Sequence, residues 1–324
     1  MRRIEQLIPD KKDMQILYWL DVNGRMSYSE IGKRIKLSKQ LVKYRIERLE
    51  KERFIKGYFT MIDSGRLGFT TFRVYLKFRG VTPEKKNQII NYCKNLSSVW
   101  AVIVEAGKWD LALGISVREI YDFYEVWDDL LKCFLPAIHD YAVNIYSPIY
   151  HYDKKYLIDN PKQYSVRILG GRGKIELDNA DFIILGLLSN NARVSLLDIS
   201  EKIKMTPEAA GRRIRQLEKR GVIQGYRAMI NLSKLGYEFY KVEFKLNSYD
   251  KIEHIISYCQ NQPKIYQVDR TIGGSTLDVE FHVKNLQELY MLIEEFDKTF
   301  PQTVESFEYL TVLSEEKTTY MPKL

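Results

Sequence analysis

The 324-residue sequence carries 28% charged and 45% hydrophobic residues and a formal net charge of +8, a globular composition that excludes a disordered chain. Its longest apolar runs, such as VWAVIVEA, are strand-sized and fall short of the ~20 residues of a membrane helix. The opening residues, MRRIEQLIPDKKD, lack the apolar core of a signal peptide, so a cytoplasmic location without a membrane partner is expected. Cys93, Cys133 and Cys259 are scattered without a CxxC, and His139, His151, His254 and His282 show no ligand spacing. Neither a disulfide framework nor a metal site is expected, and the histidines read as surface or interface residues. The charge is uneven. Residues 11–60 hold 13 Lys and Arg against 6 Asp and Glu, whereas residues 232–324 hold 10 against 15. A positive field confined to one segment is what nucleic-acid binding needs.

In chain order, KKDMQILYWLD places Ile16, Leu17 and Leu20 on one helix face, and NGR at 23–25 makes a turn. Ser27 caps a short helix through Ile35. Ser38 caps a second, SKQLVKYRIERLEKERFIKG, with Leu41, Val42, Ile46 and Leu49 as its expected core stripe and a cationic opposite face. Two short helices on a tight turn, the second basic at its start, form a helix-turn-helix. RFIKGYFTMID then reads as a strand or wing.

Comparing the sequence with itself at a shift of 168 shows a tandem duplication. Ile16 falls on Ile184, Arg25 on Arg193, Ser27 on Ser195, Arg45 on Arg213, Ile46 on Ile214, Leu49 on Leu217 and Gly57 on Gly225. Beyond each head, FRVYLKF and YKVEFKL alternate as strands, and each is followed by helix, two strands, helix and strand. The order is that of a ferredoxin-like βαββαβ unit whose open sheet face pairs with a second copy. The fold class is therefore α+β: two tandem copies of a winged-type helix-turn-helix domain (8–62 and 176–230), each followed by a ferredoxin-like domain (66–150 and 234–316). A connection at 151–175 is expected to turn flexible at Gly170, Gly171 and Gly173 and to set the reach between heads.

The sequence resembles the leucine-responsive/asparagine regulator (Lrp/AsnC) family, counted twice. The resemblance rests on DMQIL, NGRMS and LSKQLVKYRIERLEKERFIKGY in the first half and DFIIL, NARVS and MTPEAAGRRIRQLEKRGVIQGY in the second. Arg53 stands where the family has the glycine found here at Gly221, and Thr206 replaces the serine cap. The resemblance implies a transcriptional regulator acting on double-stranded DNA as a covalent pseudo-dimer, with homo-oligomers as a further expectation. It also implies a small-molecule effector, often an amino acid, near a Gly-x-x-Asp turn. That turn is Gly107 to Asp110 in the first half and the longer Gly273 to Asp278 in the second; a plain β-turn is the alternative for the first.

The residues expected at DNA are Ser38, Lys39, Gln40, Lys43, Tyr44 and Arg48 of the first head, with Lys39, Gln40 and Lys43 placed for base edges and Arg25 for phosphate. In the second head they are Arg193, Thr206, Arg212 and Arg215. Its Pro207, Glu208 and Gly211 give a small or acidic leading edge, so backbone contact or a different half-site is expected there. For Arg45 and Arg213 a structural ion pair stands beside phosphate contact. The rival function is an enzyme, since siroheme decarboxylases share the two-part architecture. The segment expected to line such a cavity, SSVWAVIVEAGKWDL, holds no histidine or arginine, so no catalytic residue, no cofactor and no enzymatic activity are expected. A DNA-free interaction module would have called for an acidic second helix.

Overall fold

The computed structural model describes residues 8–159, 161 and 165–321. Residues 160 and 162–164 of the expected connection, and residues 1–7 of the N-terminal segment, lie outside the described residues. The first head comprises α1 (Lys11–Val22), α2 (Tyr28–Ile35) and α3 (Lys39–Lys51), followed by the wing strand β1 (Ile55–Ile62). Each helix starts at an oxygen that accepts an otherwise unpaired amide: Asp10 takes those of Lys12 and Asp13, Ser27 that of Glu30, and Ser38 that of Leu41. Ile16, Leu17, Leu20, Ile31, Val42, Ile46 and Leu49 are sealed in the resulting core. The turn before α3 passes through Lys36 at φ 58°, and its counterpart in the second head through Lys204 at φ 55°.

The first ferredoxin-like unit follows as β2 (Thr70–Phe78), α4 (Pro83–Asn95), β3 (Val99–Gly107), β4 (Leu111–Val117), α5 (Ile120–Phe134) and β5 (Ile138–Tyr152). A short β6 (Val166–Leu169) then crosses to the second head, α6 (Asn179–Asn190), α7 (Leu196–Ile203), α8 (Pro207–Lys219) and β7 (Ile223–Ile230). The second unit is β8 (Glu238–Leu246), α9 (Ile252–Asn261), β9 (Ile265–Ile272), β10 (Leu277–Val283), α10 (Leu286–Thr299) and β11 (Val304–Thr318). No helix among the described residues is long and apolar enough to cross a membrane.

The second copy that the open sheet face calls for is the other half of the same chain. The two four-stranded sheets, ordered β5-β2-β4-β3 and β11-β8-β10-β9, join edge to edge through β3–β11 and β9–β5, so eight antiparallel strands close on themselves. The wings pair as well, with Tyr58 opposite Ala228 and Thr60 opposite Tyr226. Period-two alternation explains the layers: Phe72, Val74, Leu76 and Phe78 pack beneath α4 and α5, and Tyr240, Val242 and Phe244 beneath α9 and α10.

The connection between the halves is not a tether. Asp153, Lys154, Lys155, Leu157 and Arg167 are buried, and β6 pairs with β5. The amides of Gly170 and Gly171 each donate to Asp63 at 2.9 Å. A Cβ on Gly171 would sit 2.7 Å from that carboxylate, so these glycines serve close approach rather than mobility. Two histidines also depart from expectation: His151 and His282 are only 1% exposed, because their strands face the closed interior.

That interior is charged. Glu105, Glu243, Asp269, Asp278 and Glu280 share it with Arg73 and Lys241. Lys241 Nζ lies 2.8 Å from Asp278, and Gln267 donates to Asp269 at 2.8 Å and to Glu280 at 3.2 Å. Burial pushes the carboxyls of Glu105 and Glu280 up to about 8 from an ordinary 4.5. Both hold protons in the fold that they release on unfolding, so their contribution to stability is present at low pH and is lost as pH rises toward about 8. His151 and His282, kept neutral by burial, act in the opposite sense but below pH 7. Lys154 and Lys155, lowered by burial to about 8, oppose this from about pH 8 upward, so the melting temperature should fall between pH 7 and pH 8, and Glu105→Gln should shrink that fall in parallel thermal melts. An identical fall in the variant would refute the assignment.

Candidate nucleic-acid interface

α3 buries Val42, Ile46 and Leu49 and turns its opposite face to solvent. Lys39, Gln40, Lys43 and Tyr44 are exposed there, and Ser38 is exposed at the cap. Leu41, expected in the core stripe, is 39% exposed and belongs to the outward face instead. The reason is angular: Val42, Ile46 and Leu49 already fill the inward i, i+4, i+7 row, and Leu41 lies about 100° off it. Its apolar surface therefore joins the presented edge, which the strict spacing of the three inward residues alone would have revealed.

The arginines are committed differently. Arg45 Nη1 donates to Asp10 and Asp13, both at 2.8 Å, and Arg48 to Asp13 at 2.7 Å. In the second head Arg213 repeats the pattern with Asp178 at 2.8 Å and Asp181 at 2.9 Å. Since Asp13 is fully buried, these guanidiniums neutralise a charge that the head core cannot hold alone. Of the two alternatives for Arg45 and Arg213, the geometry shows the structural ion pair.

Arg25 and Arg193 cross between heads. Arg25 donates to the carbonyls of Ala192 and Val194, and Arg193 to those of Gly24, at 2.6 Å, and Met26, at 3.1 Å. Arg193 also lies 4.5 Å from the Tyr58 ring and Arg25 5.4 Å from that of Tyr226. Backbone bonds repeat the exchange, Gly24 N to Tyr226 O and Ala192 N to Tyr58 O. Both arginines nevertheless line an open groove of about 370 Å³ with Lys39 and Ser27. Three cations converge there at the front of the first head.

In α8 the cap is Thr206, which accepts from Ala209 N, and Arg212 and Arg215 are exposed. Gly211 is not part of a leading edge. It is buried beneath Leu196, whose Cδ1 would lie 3.4 Å from an added Cβ.

The expected effector residues are not brought together as a ligand site. Asp110 ties its turn to β2, accepting from Phe78 N at 2.8 Å and Lys77 Nζ at 3.3 Å, while Lys77 also donates to Gly107 O. Asp278 is buried in the barrel on Lys241, Tyr146 and Ser275, and Gly273 is an exposed turn residue at φ 97°.

Two head-mounted helices, one cationic and outward, on a closed pair of ferredoxin-like units define a two-headed helix-turn-helix protein. A winged helix-turn-helix DNA-binding domain model matches residues 9–56 and 177–224. The regulator LrpB of Bacillus subtilis is 30% identical over 125 residues, 38% of this chain and 83% of that protein. The leucine-responsive regulatory protein of Rhizobium meliloti is 30% identical over 130 residues, 39% of this chain and 83% of that protein. The chain belongs to the Lrp/AsnC family of helix-turn-helix regulators, with the family's unit present twice.

The crystal structure of the siroheme decarboxylase NirDL is similar over 97% of this chain and 94% of that one, with a TM-score of 0.63 at 15% identity. The expectation of no enzymatic activity is overturned by that match, because the same architecture, heads included, is the architecture of an enzyme. The stretch SSVWAVIVEAGKWDL is only part of the lining, since the closed interior draws Arg73, His151, Lys241 and His282 from other strands.

The ion pairs and the presented face should separate in stability measurements. Arg45→Ala leaves buried Asp13 with one guanidinium and is expected to cost about 2 kcal/mol. Lys39→Ala, on the exposed face, should stay within about 0.5 kcal/mol. Urea denaturation of the two variants checks this, and equal costs would contradict it.

Proposed function

We propose that the chain is a sequence-specific DNA-binding transcription regulator in which one polypeptide supplies both halves of a dimer. The observation that carries this is the sorting of charge on the first head. Arg45 and Arg48 are spent on Asp13, while Lys39, Gln40, Lys43 and Tyr44 remain presented beside the groove of Arg25, Arg193 and Lys39. Lys39 and Lys43 suit guanine edges, Gln40 adenine, and Leu41 a thymine methyl, with the groove taking a phosphate. The second head, with Glu208 early and Arg212 and Arg215 late, contacts backbone more than bases. The wing and barrel pairings within the chain fix the spacing of the heads and hence of the half-sites.

A second reading, a siroheme-type decarboxylase, is favoured by the full-length likeness to NirDL and by the buried histidine, arginine and lysine groups. An absorbance scan after incubation with siroheme tests it: a progressive spectral change dependent on the protein supports it, and an unchanged spectrum rejects it.

For the regulator, fluorescence anisotropy on the protein's own upstream DNA and on a scrambled fragment, across salt concentrations, is the direct measurement. Tighter binding to the native fragment, weakening steeply with salt, is expected. The Lys39→Ala, Gln40→Ala, Lys43→Ala triple variant should lose about tenfold of that preference, and Arg212→Ala with Arg215→Ala should weaken both fragments alike. Equal affinity of the parent protein for the two fragments would overturn the reading.

A further inference from the structure

The two heads share a scaffold but not a reading face. Helices α3 and α8 are both 13 residues long, open on a capping hydroxyl at Ser38 or Thr206, and bury equivalent rows: Val42, Ile46 and Leu49 in one, Ala210, Ile214 and Leu217 in the other. The two helices therefore sit in equivalent beds. At the shift of 168 their outward positions differ: Lys39 falls on Pro207, Gln40 on Glu208, Lys43 on Gly211 and Tyr44 on Arg212.

Three observations place base reading on the first head alone. At the place of Lys43, Gly211 has no side chain to extend and lies buried beneath Leu196. Helix α7, the element that in a helix-turn-helix crosses the DNA backbone, opens on Leu196 and Leu197, 37% and 59% exposed, where α2 has Tyr28 and Ser29. Leucine offers a phosphate no donor. Finally, Arg193 belongs to the second head yet lines the groove of the first with Arg25, Ser27 and Lys39, and the mirror position of Lys39 is Pro207. The charge is divided in the same way. Residues 8–62 hold 13 Lys and Arg against 7 Asp and Glu, and residues 176–230 hold 9 against 7.

The second head keeps two exposed cations, Arg212 and Arg215, while Arg213 is spent on Asp178 and Asp181. Residues three apart share a helix face, so the pair is placed to hold two phosphates.

We propose that the operator is not a palindrome: the chain reads one half-site with its first head, clamps the neighbouring backbone with its second, and lies on DNA in one orientation. The inference rests on the regulator reading and deepens it. Identical subunits related by a two-fold call for matching arms. Here the two-headed frame is built from one chain with its wings paired, so the second head is held over DNA that it does not read. An inverted repeat offers such a chain two equivalent orientations, a gain of about twofold, whereas two reading heads would multiply their discrimination.

The test begins with selection from a randomised duplex library by the full chain. Anisotropy at one chain per duplex then compares the enriched motif in neutral flanks, the motif with either flank removed, and its inverted repeat with arms about 10 or 21 base pairs apart. A one-armed motif is expected, with the inverted repeat bound within about twofold of the single arm. Removing one flank should weaken binding at least about tenfold and lower the salt slope by about 2, one for each of Arg212 and Arg215, and removing the other should change little. Grafting the edge of the first head onto the second, Pro207→Lys with Glu208→Gln, should raise the preference for the inverted repeat to at least about tenfold while the circular-dichroism spectrum stays that of the parent. A motif with two equal arms, equal effects of the two flanks, or a folded graft that gains no preference for the inverted repeat would each overturn the proposal. A library that enriches no motif is a separate outcome, since it refutes the regulator reading itself.

Discussion

The carboxylate of Asp21 holds together three stretches that are far apart in sequence. It closes α1 of the first head, receives Arg227 of the second wing at 3.0 and 2.6 Å, and receives both the amide and the ammonium of Lys154 at 2.8 and 2.9 Å. All three are buried, so none can exchange its partner for water. Although burial works to raise it, the cations hold the Asp21 carboxyl well below the usual carboxylate range. Asp153 and Arg167 extend the node at 2.6 Å, and Arg167 reaches the carbonyl of Val22. A buried charge that loses its partner costs several kcal/mol, so head, wing and barrel are ordered jointly.

This node is also where the duplication stops being symmetric. At a shift of 168, Asp21 corresponds to Ser189, Arg227 to Phe59 and Tyr152 to Tyr320. One junction between heads and barrel is ionic. The other is aromatic, with Phe59 and Trp100 stacked on Tyr320. Between the heads themselves the symmetry is kept, from the exchanged Arg25 and Arg193 to the paired hydroxyls of Tyr58 on Glu50 and Tyr226 on Glu218. The two copies thus differ at the joints and on the outward helix faces, where two copies in one chain are free to take different tasks.

The same economy governs the arginines. Arg45, Arg48 and Arg213 look like DNA-facing residues because they sit on basic helices, yet each is drawn to an aspartate at the opening turn of a neighbouring helix. Lys39 forms no ion pair within 4 Å among the described residues and stays on the surface, and Lys43 is held only by an exposed pair with Glu47 at 3.6 Å. Net charge identified the head, but the position of its carboxylates decided which cations it presents.

Much of the architecture was legible in the sequence because it depends on local, periodic chemistry. Serine and threonine caps, 3.6-residue stripes, two-residue alternation and the repeat at a shift of 168 determined the two heads and the two ferredoxin-like units by themselves. Local spacing was less reliable one residue at a time, as Leu41 shows. What depended on long-range closure was decided only by the tertiary structure. The pairing of β3 with β11 and of β5 with β9 turned an open face into a barrel, buried His151 and His282, and placed unequal charges inside. It made a flexible-looking glycine segment a clasp on the buried Asp63. Such features depend on which groups meet across more than a hundred residues, and periodicity carries no record of that.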